Sequence, residues 1–275
     1  MLEDIFRLDE KVIVITGASG LLGEKHAEAI ACYGGTPVLL DLSEKKLNKI
    51  VDKLNDKYNV NCIGYVVDIT DEEAVKKNVS EVLKKYGKID GLINNAANNP
   101  KIENLDSMSF SRLENFTENV WNADLDVGLK GAFFCSKYYG YEISQNPNGG
   151  SILNVSSDLG LIGPDQDLYL EEGLPSEEQP VKPVTYSIVK SGIIGLTRYL
   201  ATYWSKNNVR CNAICPGGVH NEQSEEFINK VSEKIPLGRL AHIDEYQGTL
   251  IWILSDAGSY LNGAIIPIDG GRTVW

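Results

Sequence analysis

Lys11-Val12-Ile13-Val14-Ile15-Thr16-Gly17-Ala18-Ser19-Gly20-Leu21-Leu22-Gly23 is the stretch on which the fold turns. It opens as a β-branched run, passes into a glycine-rich turn, and continues into apolar positions at Leu21, Ala27, Ala31 and Tyr33 with helical spacing. Strand, tight turn and helix in that order form a phosphate site. The glycines permit the turn and a close backbone approach to a pyrophosphate, and the N–H groups at the helix start face the anion. Gly17, Ser19, Gly20 and Leu22 are therefore candidate cofactor-binding residues. Asp41 ends the next apolar run, 18 residues beyond Gly23. A carboxylate there accepts hydrogen bonds from the adenosine ribose hydroxyls and repels a 2′-phosphate. It would also serve simply as a charge at the helix start before Ser43. The glycine turn holds no Arg or Lys and Leu42 follows Asp41, so NAD(H) is preferred over NADP(H).

Outward from this unit the pattern repeats. Residues 36–40 read as a strand, followed by a polar helix that the Ser43 side chain can cap. Residues 61–67 read as a strand and 71–86 as a helix, with a short strand at 91–94. A long helix around 119–144 leads to a strand at 151–155, a helix through Tyr186 and Tyr203, and strands near 209–214 and 264–268. Short apolar strands alternating with helices imply a parallel sheet covered on both faces. The expectation is an α/β chain with one doubly wound Rossmann domain over residues 1–275 and a sheet of about seven strands. No linker, internal repeat or low-complexity tract divides it.

Lysine and arginine number 26 against 38 acidic residues, a formal charge of −12, which argues against nucleic acid and anionic membrane surfaces as partners. The start, Met1-Leu2-Glu3-Asp4-Ile5-Phe6-Arg7, lacks the features of a signal peptide, and no membrane-length apolar stretch occurs, so a cytoplasmic location is expected. Cys32, Cys62, Cys135, Cys211 and Cys215 are odd in number and lie mostly in apolar segments, which favours buried thiols over disulfides. With His26, His220 and His242 scattered, no metal-ligand set is expected.

Tyr186 and Lys190 stand four residues apart on a helix, which puts a phenol and an ammonium on one face. A fixed cation brings a phenol, which ordinarily titrates near pH 10, toward use as an acid/base at neutral pH. Taken in order, the glycine turn, Asn94-Asn95-Ala96-Ala97, Asn154-Val155-Ser156-Ser157, Tyr186 with Lys190, Pro216-Gly217 and Asp269-Gly270-Gly271 resemble the short-chain dehydrogenase/reductase family over roughly residues 9–271. The resemblance implies that Tyr186 is the catalytic acid/base and that Lys190 lowers its pKa and holds the nicotinamide ribose. It implies that Ser157 bonds the reacting oxygen, with the adjacent Ser156 as the alternative. It further implies that Asp68 and Ile69 border the adenine, that Asn94 and Ala96 pack beside the cofactor, and that Pro216, Gly217 and Val219 lie against the nicotinamide amide. Its members transfer hydride between a nicotinamide and a carbinol carbon of a small-molecule substrate, and they usually form homodimers or homotetramers through the middle and tyrosine-bearing helices.

The chain departs from the family pattern in several places. Where relatives carry an asparagine seven residues beyond a tryptophan-like position, here Trp121, this chain has Gly128, so a water, another polar residue or a distorted helix must take over. Asn221 stands where many relatives have threonine, and the middle glycine of the turn is Gly20 rather than the residue at Leu21. Family members of ordinary size place the serine about 13 residues before the tyrosine, whereas Ser157 and Tyr186 are 29 apart, leaving an inserted loop around 160–183. Its acidic residues and its prolines at 164, 175, 180 and 183 suit either a lid or substrate wall for a hydroxyl-rich ligand or a solvated acidic loop with no substrate contact.

The wording around this loop, Ser157-Asp158-Leu159-Gly160 and Pro180-Val181-Lys182-Pro183, with Asn98-Asn99-Pro100 and Arg272-Thr273-Val274-Trp275, looks like a subgroup associated with bacterial surface-glycan and flagellin-modification genes. That likeness implies a sugar, amino sugar or polyol as substrate. A 3-oxoacyl-(acyl carrier protein) reductase and a nucleotide-sensing binding protein are the competing readings.

Overall fold

The computed structural model describes residues 4–98 and 111–275. Asn99, Pro100 and Met1 to Glu3 of the motifs quoted above lie outside the described residues. Strand β1 (Val12–Thr16) is buried at every position, as is β4 (Gly91–Asn94). Both are short and apolar because each lies between two other strands and beneath helices on both faces. Around them stand β2 (Thr36–Asp41), β3 (Ile63–Val66), β5 (Gly150–Val155), β6 (Val209–Pro216) and β7 (Ile265–Ile268). They form a seven-stranded sheet in the order β3-β2-β1-β4-β5-β6-β7, with every pair parallel.

Alternate strand residues point to opposite faces and build two cores. Ile13, Ile15 and Leu39 pack with α1 (Leu21–Cys32), α2 (Glu44–Tyr58) and α8 (Gln247–Leu254). Val12, Val14, Val38 and Leu40 pack on the other side with α3 (Glu72–Tyr86), α5 (Ala132–Gln145) and α6 (Val184–Tyr203). A smaller cluster of Leu168, Val231, Ile235 and Leu240 involves α7 (Glu225–Ser232).

Asp71 caps α3, accepting from the Glu73 and Ala74 amides, and Gly87 closes that helix in the left-handed conformation. Ser43 differs from expectation: its side chain makes no cap bond, and its amide instead donates to Asp41 Oδ1 at 3.2 Å. Tyr33 lies just beyond the end of α1 and is exposed, as is Leu21, so the buried stripe of α1 runs through His26, Ala27, Ile30 and Ala31.

The long middle helix is continuous but not uniform. After α4 (Glu118–Leu125) it opens into a π-helical turn, Asp126–Gly131, before α5. Gly128 sits in that turn with its bare Cα against the Val189 side chain, and a Cβ there would overlap the Val189 methyls. The distortion anticipated at Gly128 is thus a local widening of the helix, a device common where a helix borders a functional site.

Among the described residues, no helix is long and apolar enough to cross a membrane, and no cluster of three or more potential metal ligands occurs. The five cysteines are free thiols, four of them buried and Cys32 exposed.

Candidate active site

The sheet order reverses between β2-β1 and β4-β5, and a crevice opens beyond the carboxyl ends of the strands at that point. It is a continuous cleft of about 710 Å³, lined from Ser19 and Asp41 at one end to Tyr186 and Arg272 at the other. At the first end Gly17 takes φ +61°, and a Cβ on it would come within 2.8 Å of the Ala96 Cα. Only glycine tolerates both the left-handed backbone and that approach. Asp41 is fixed from both sides: Oδ2 accepts from the Ser19 amide at 2.9 Å and Oδ1 from the Ser43 amide at 3.2 Å. Asp68 closes a turn of its own, its Oδ1 accepting from the Thr70 amide and hydroxyl at 2.9 and 2.7 Å. Asp68, Ile69, Gly20 and Leu22 all line the cleft.

Two features at this end were missed in the sequence. Thr16 Oγ1 accepts from the Asn95 and Ala96 amides, both at 3.0 Å, while Asn95 Nδ2 donates to the Thr16 and Gly17 carbonyls. This clamp joins the glycine turn to the end of β4. Lys46, in the first turn of α2, also borders the cleft near Asp41, where the sequence reading placed no cation.

Asn94 needs a correction. Its side chain is buried away from the cleft, donating to Ser136 Oγ at 3.0 Å and Asn154 Oδ1 at 2.8 Å. It ties β4 to β5 and α5, and Asn95 and Ala96, just beyond the end of β4, line the cleft instead.

At the far end α6 carries Tyr186 and Lys190 on one face, as their spacing predicts. Lys190 is buried and its Nζ donates to the Val155 carbonyl at 3.0 Å. Ser157 donates to Asp158 Oδ1 at 2.8 Å and stands near enough to the Tyr186 phenol to favour its ionised form. The adjacent Ser156 turns the other way and donates to the Lys190 carbonyl at 2.7 Å, fixing β5 against α6. Pro216, Gly217 and Val219 line this end, with Gly217 tied to the Ile268 carbonyl at 2.9 Å and Val219 bridged to Ala241.

The electrostatics differ from the simple tyrosine–lysine picture. Burial raises the Tyr186 pKa, with Asp158 adding to the rise, and the Ser157 bond offsets only part of it. Lys190 is brought down to about 8, first by burial and then by the nearby Lys182. Lys182, from the 160–183 segment, is the closer cation to the phenol: its Nζ is 3.8 Å from the Tyr186 ring centroid, against 5.7 Å for Lys190. Burial brings Lys182 too down to about 8. The expected cationic neighbour is therefore a pair, one member of which the four-residue spacing does not reveal.

Around Gly128 the polar groups come from elsewhere. A cavity of about 20 Å³ lies among Asp124, Gly128, Asn98, Thr185, Tyr186 and Lys190, room for a single water. The buried Asp124 accepts from Asn98 Nδ2 at 2.7 Å and from the Thr185 hydroxyl. The sequence signal was an aspartate one helical turn before Gly128 and a threonine directly before Tyr186.

The 160–183 segment reaches the cleft through Pro164, Asp165, Leu168, Tyr169 and Lys182. Its other acidic residues, Asp167, Glu171, Glu172, Glu177 and Glu178, are exposed instead, while Asp165 pairs with Lys234 at 2.9 Å. The wall is thus apolar and cationic rather than the acidic surface its composition suggests.

The pattern described as short chain dehydrogenase matches residues 11–168, and one described as Enoyl-(Acyl carrier protein) reductase matches 176–273. The chain belongs to the short-chain dehydrogenase family. It is 32% identical to the 3-oxoacyl-(acyl-carrier-protein) reductase FabG of Thermotoga maritima, over 98% of this chain and 100% of that protein. It is 31% identical to the meso-2,3-butanediol dehydrogenase of Serratia marcescens, over 97% of this chain and 96% of the relative. A crystal structure of NAD+-bound xylitol dehydrogenase superposes with a TM-score of 0.83 at 27% identity, covering 96% of this chain and 99% of that one.

Proposed function

We propose that this oxidoreductase is NAD(H)-dependent and interconverts a secondary alcohol and its ketone on a sugar, amino sugar or polyol. The observation that carries this reading is the convergence of Ser157, Tyr186 and Lys190 at one end of a cleft whose other end holds Asp41 against the glycine turn. Gly17, with no Cβ, and the Ser19 to Leu22 backbone leave the approach a pyrophosphate needs, and Asp41 is set to receive ribose hydroxyls. Bound there, the nicotinamide supplies the acceptor or donor of hydride.

The chain's own groups handle the proton. In the oxidative direction the ionised Tyr186 oxygen takes the hydroxyl proton as hydride leaves the same carbon, so a ketone, a hydride equivalent and one proton account for the alcohol. Ser157 holds the reacting oxygen. Burial and Asp158 disfavour the phenolate, and Lys182 and Lys190, with ammonium groups 3.8 and 5.7 Å from the ring centroid, are the cations beside it. The one-water cavity between Lys190 and Asp124 offers the proton a way onward, in the position where Gly128 supplies no side chain.

Asp41 supports NAD(H), although Lys46 leaves a cation within the same end of the cleft. Xylitol and butanediol, in the names of the two alcohol-oxidising proteins above, are polyol substrates, and the likeness to glycan-modification proteins points the same way. The 3-oxoacyl reductase reading rests on the 32%-identical relative and on the apolar wall of Leu168, Tyr169, Phe227 and Leu240.

A homodimer or homotetramer is supported by large exposed side chains on the two helices the family uses, Phe133 and Tyr141 on α5 and Tyr199 and Tyr203 on α6. Light scattering of the purified chain tests this, and a monomer at micromolar concentration contradicts it. Purified protein with NAD+ or NADP+ and a panel of polyols, sugars and 3-hydroxyacyl thioesters tests the function. Turnover confined to the thioesters with NADP+ overturns it.

A further inference from the structure

Arg272 follows the Asp269-Gly270-Gly271 turn near the end of the chain, and its side chain is only 7% exposed. Its Nε faces Asp158 Oδ2 at 3.3 Å, but its Nη1 is buried with no hydrogen-bond partner among the described residues. A guanidinium N–H left unpaired in the interior costs more than a modest hydrogen bond returns, so such groups are ordinarily satisfied by something that binds. Arg272 is one of the residues that form the wall at the substrate end of the cleft, with its unpaired Nη1 buried in that wall.

Arg272 is not alone. Lys182 borders the same end, its Nζ resting on the Tyr186 ring with no carboxylate bonded to it among the described residues, and Lys190 lies close by. Against these three cations the wall sets Asp158, shared with Ser157 and Arg272, and Asp165, which Lys234 already neutralises. The local excess of positive charge runs opposite to the net charge of −12 on the whole chain. Cations held out of water without a counter-charge are unfavourable, and a ligand that brings the counter-charge removes the cost.

We infer that the substrate carries an anionic oxygen group, a carboxylate or a phosphate ester, which Arg272 Nη1 and Lys182 bind close to the reacting carbinol. The closeness follows from connectivity: Arg272 pairs with Asp158, Asp158 accepts from Ser157, and Ser157 lines the same end of the cleft as Tyr186. This rests on the oxidoreductase reading and narrows it. Among hydroxylated substrates it selects sugar acids or sugar phosphates over neutral polyols, and it gives the 160–183 segment a role through Lys182.

Two measurements separate this inference from the reading beneath it. The first is calorimetric binding of inorganic phosphate and of tartronate to the NAD+-loaded protein, with glycerol as the neutral control, for the wild type, Arg272→Gln and Lys182→Met. The second is turnover of matched aldonates, sugar phosphates and neutral polyols. Binding of at least one anion, weakened about tenfold to a hundredfold in each variant with glycerol showing none, supports the inference. The anion preferred, and the turnover arm that follows it, distinguishes carboxylate from phosphate. Arg272→Gln keeps a donor toward Asp158, and Lys182→Met, at a half-buried site, remains informative should the Arg272 variant fold poorly. Anion binding without turnover of any compound leaves the anion site standing and overturns the redox reading. Equal binding of anions and glycerol, anion binding unchanged in both variants, or neutral polyols turned over as well as their anionic counterparts overturns the anion site.

Discussion

The two ends of the cleft are built by different means. At the nucleotide end the polar groups are already paired: Asp41 accepts from two amides, Thr16 and Asn95 clamp each other's backbone, and Asp68 closes its own turn. All of them come from residues 16–96, in one run of strand-turn-helix units. At the substrate end the groups come from β5, the 160–183 segment, α6 and the carboxyl terminus. There the Arg272 guanidinium keeps an unpaired nitrogen and two lysines share one tyrosine ring. A paired site is formed before its ligand arrives, whereas an unpaired one is completed by it.

If the ends are separable, Ser157→Ala lowers kcat/KM by about 10²- to 10³-fold while NADH affinity, followed by fluorescence titration, stays within about twofold. A parallel loss of NADH affinity breaks the division. The nucleotide end has one unsettled group of its own. His26 in α1 is fully buried with both ring nitrogens unpartnered, and burial lowers its pKa from 6.5 to about 4. Between those values the unfolded chain binds the proton and the folded chain does not. The stability is therefore present above pH 6.5 and is lost as pH falls toward about 4, by roughly 3 kcal/mol. Urea unfolding across this range measures it, and a His26→Gln variant with the same acid slope contradicts the assignment.

Gly128→Asn, which restores the residue usual in the family, destabilises the chain by about 1–3 kcal/mol because its Cβ meets Val189. Pairing it with Val189→Ala recovers part of the loss in the same urea measurement. The smallest effect is at Asp41. Asp41→Ala weakens NADH about tenfold and brings NADPH closer to it, with kcat on saturating cofactor little changed. An unaltered ratio of the two affinities transfers the discrimination to another residue, with Lys46 the first to examine.

Local chemistry made the first end legible. The glycine turn, Asp41 and the alternation of strand and helix are written in adjacent residues, and β1, β2, α3 and β4 fall within about two residues of their expected bounds. Tyr186 and Lys190 were legible for the same reason, since helical spacing alone sets them on one face. Arg272 and Asp124 were not, because each meets the site through contacts that span many residues, Arg272 with Asp158 and Asp124 with Asn98, and Lys182 was not because it precedes the helix that starts at Val184, where helical spacing does not apply. Asn94 misled because a motif names a segment, within which Asn94 turns to β5 and α5 while Asn95 and Ala96 line the cleft. The acidic count of the 160–183 segment misled likewise, since all its carboxylates but Asp165 are exposed, Asp165 is paired with Lys234, and Lys182 faces the cleft.

The central claim is that Tyr186, held between Ser157 and two lysines, moves the proton while NAD(H) moves the hydride. The direct measurement is nicotinamide absorbance during incubation of wild type and Tyr186→Phe with NAD+ and a panel of sugar acids, sugar phosphates and polyols. The wild type is expected to form NADH on at least one hydroxylated compound. The variant is expected to lose about 10²- to 10⁴-fold of that rate, with NADH affinity retained. Turnover that survives the removal of the phenol, or nucleotide binding with no turnover by the wild type on any compound, contradicts it.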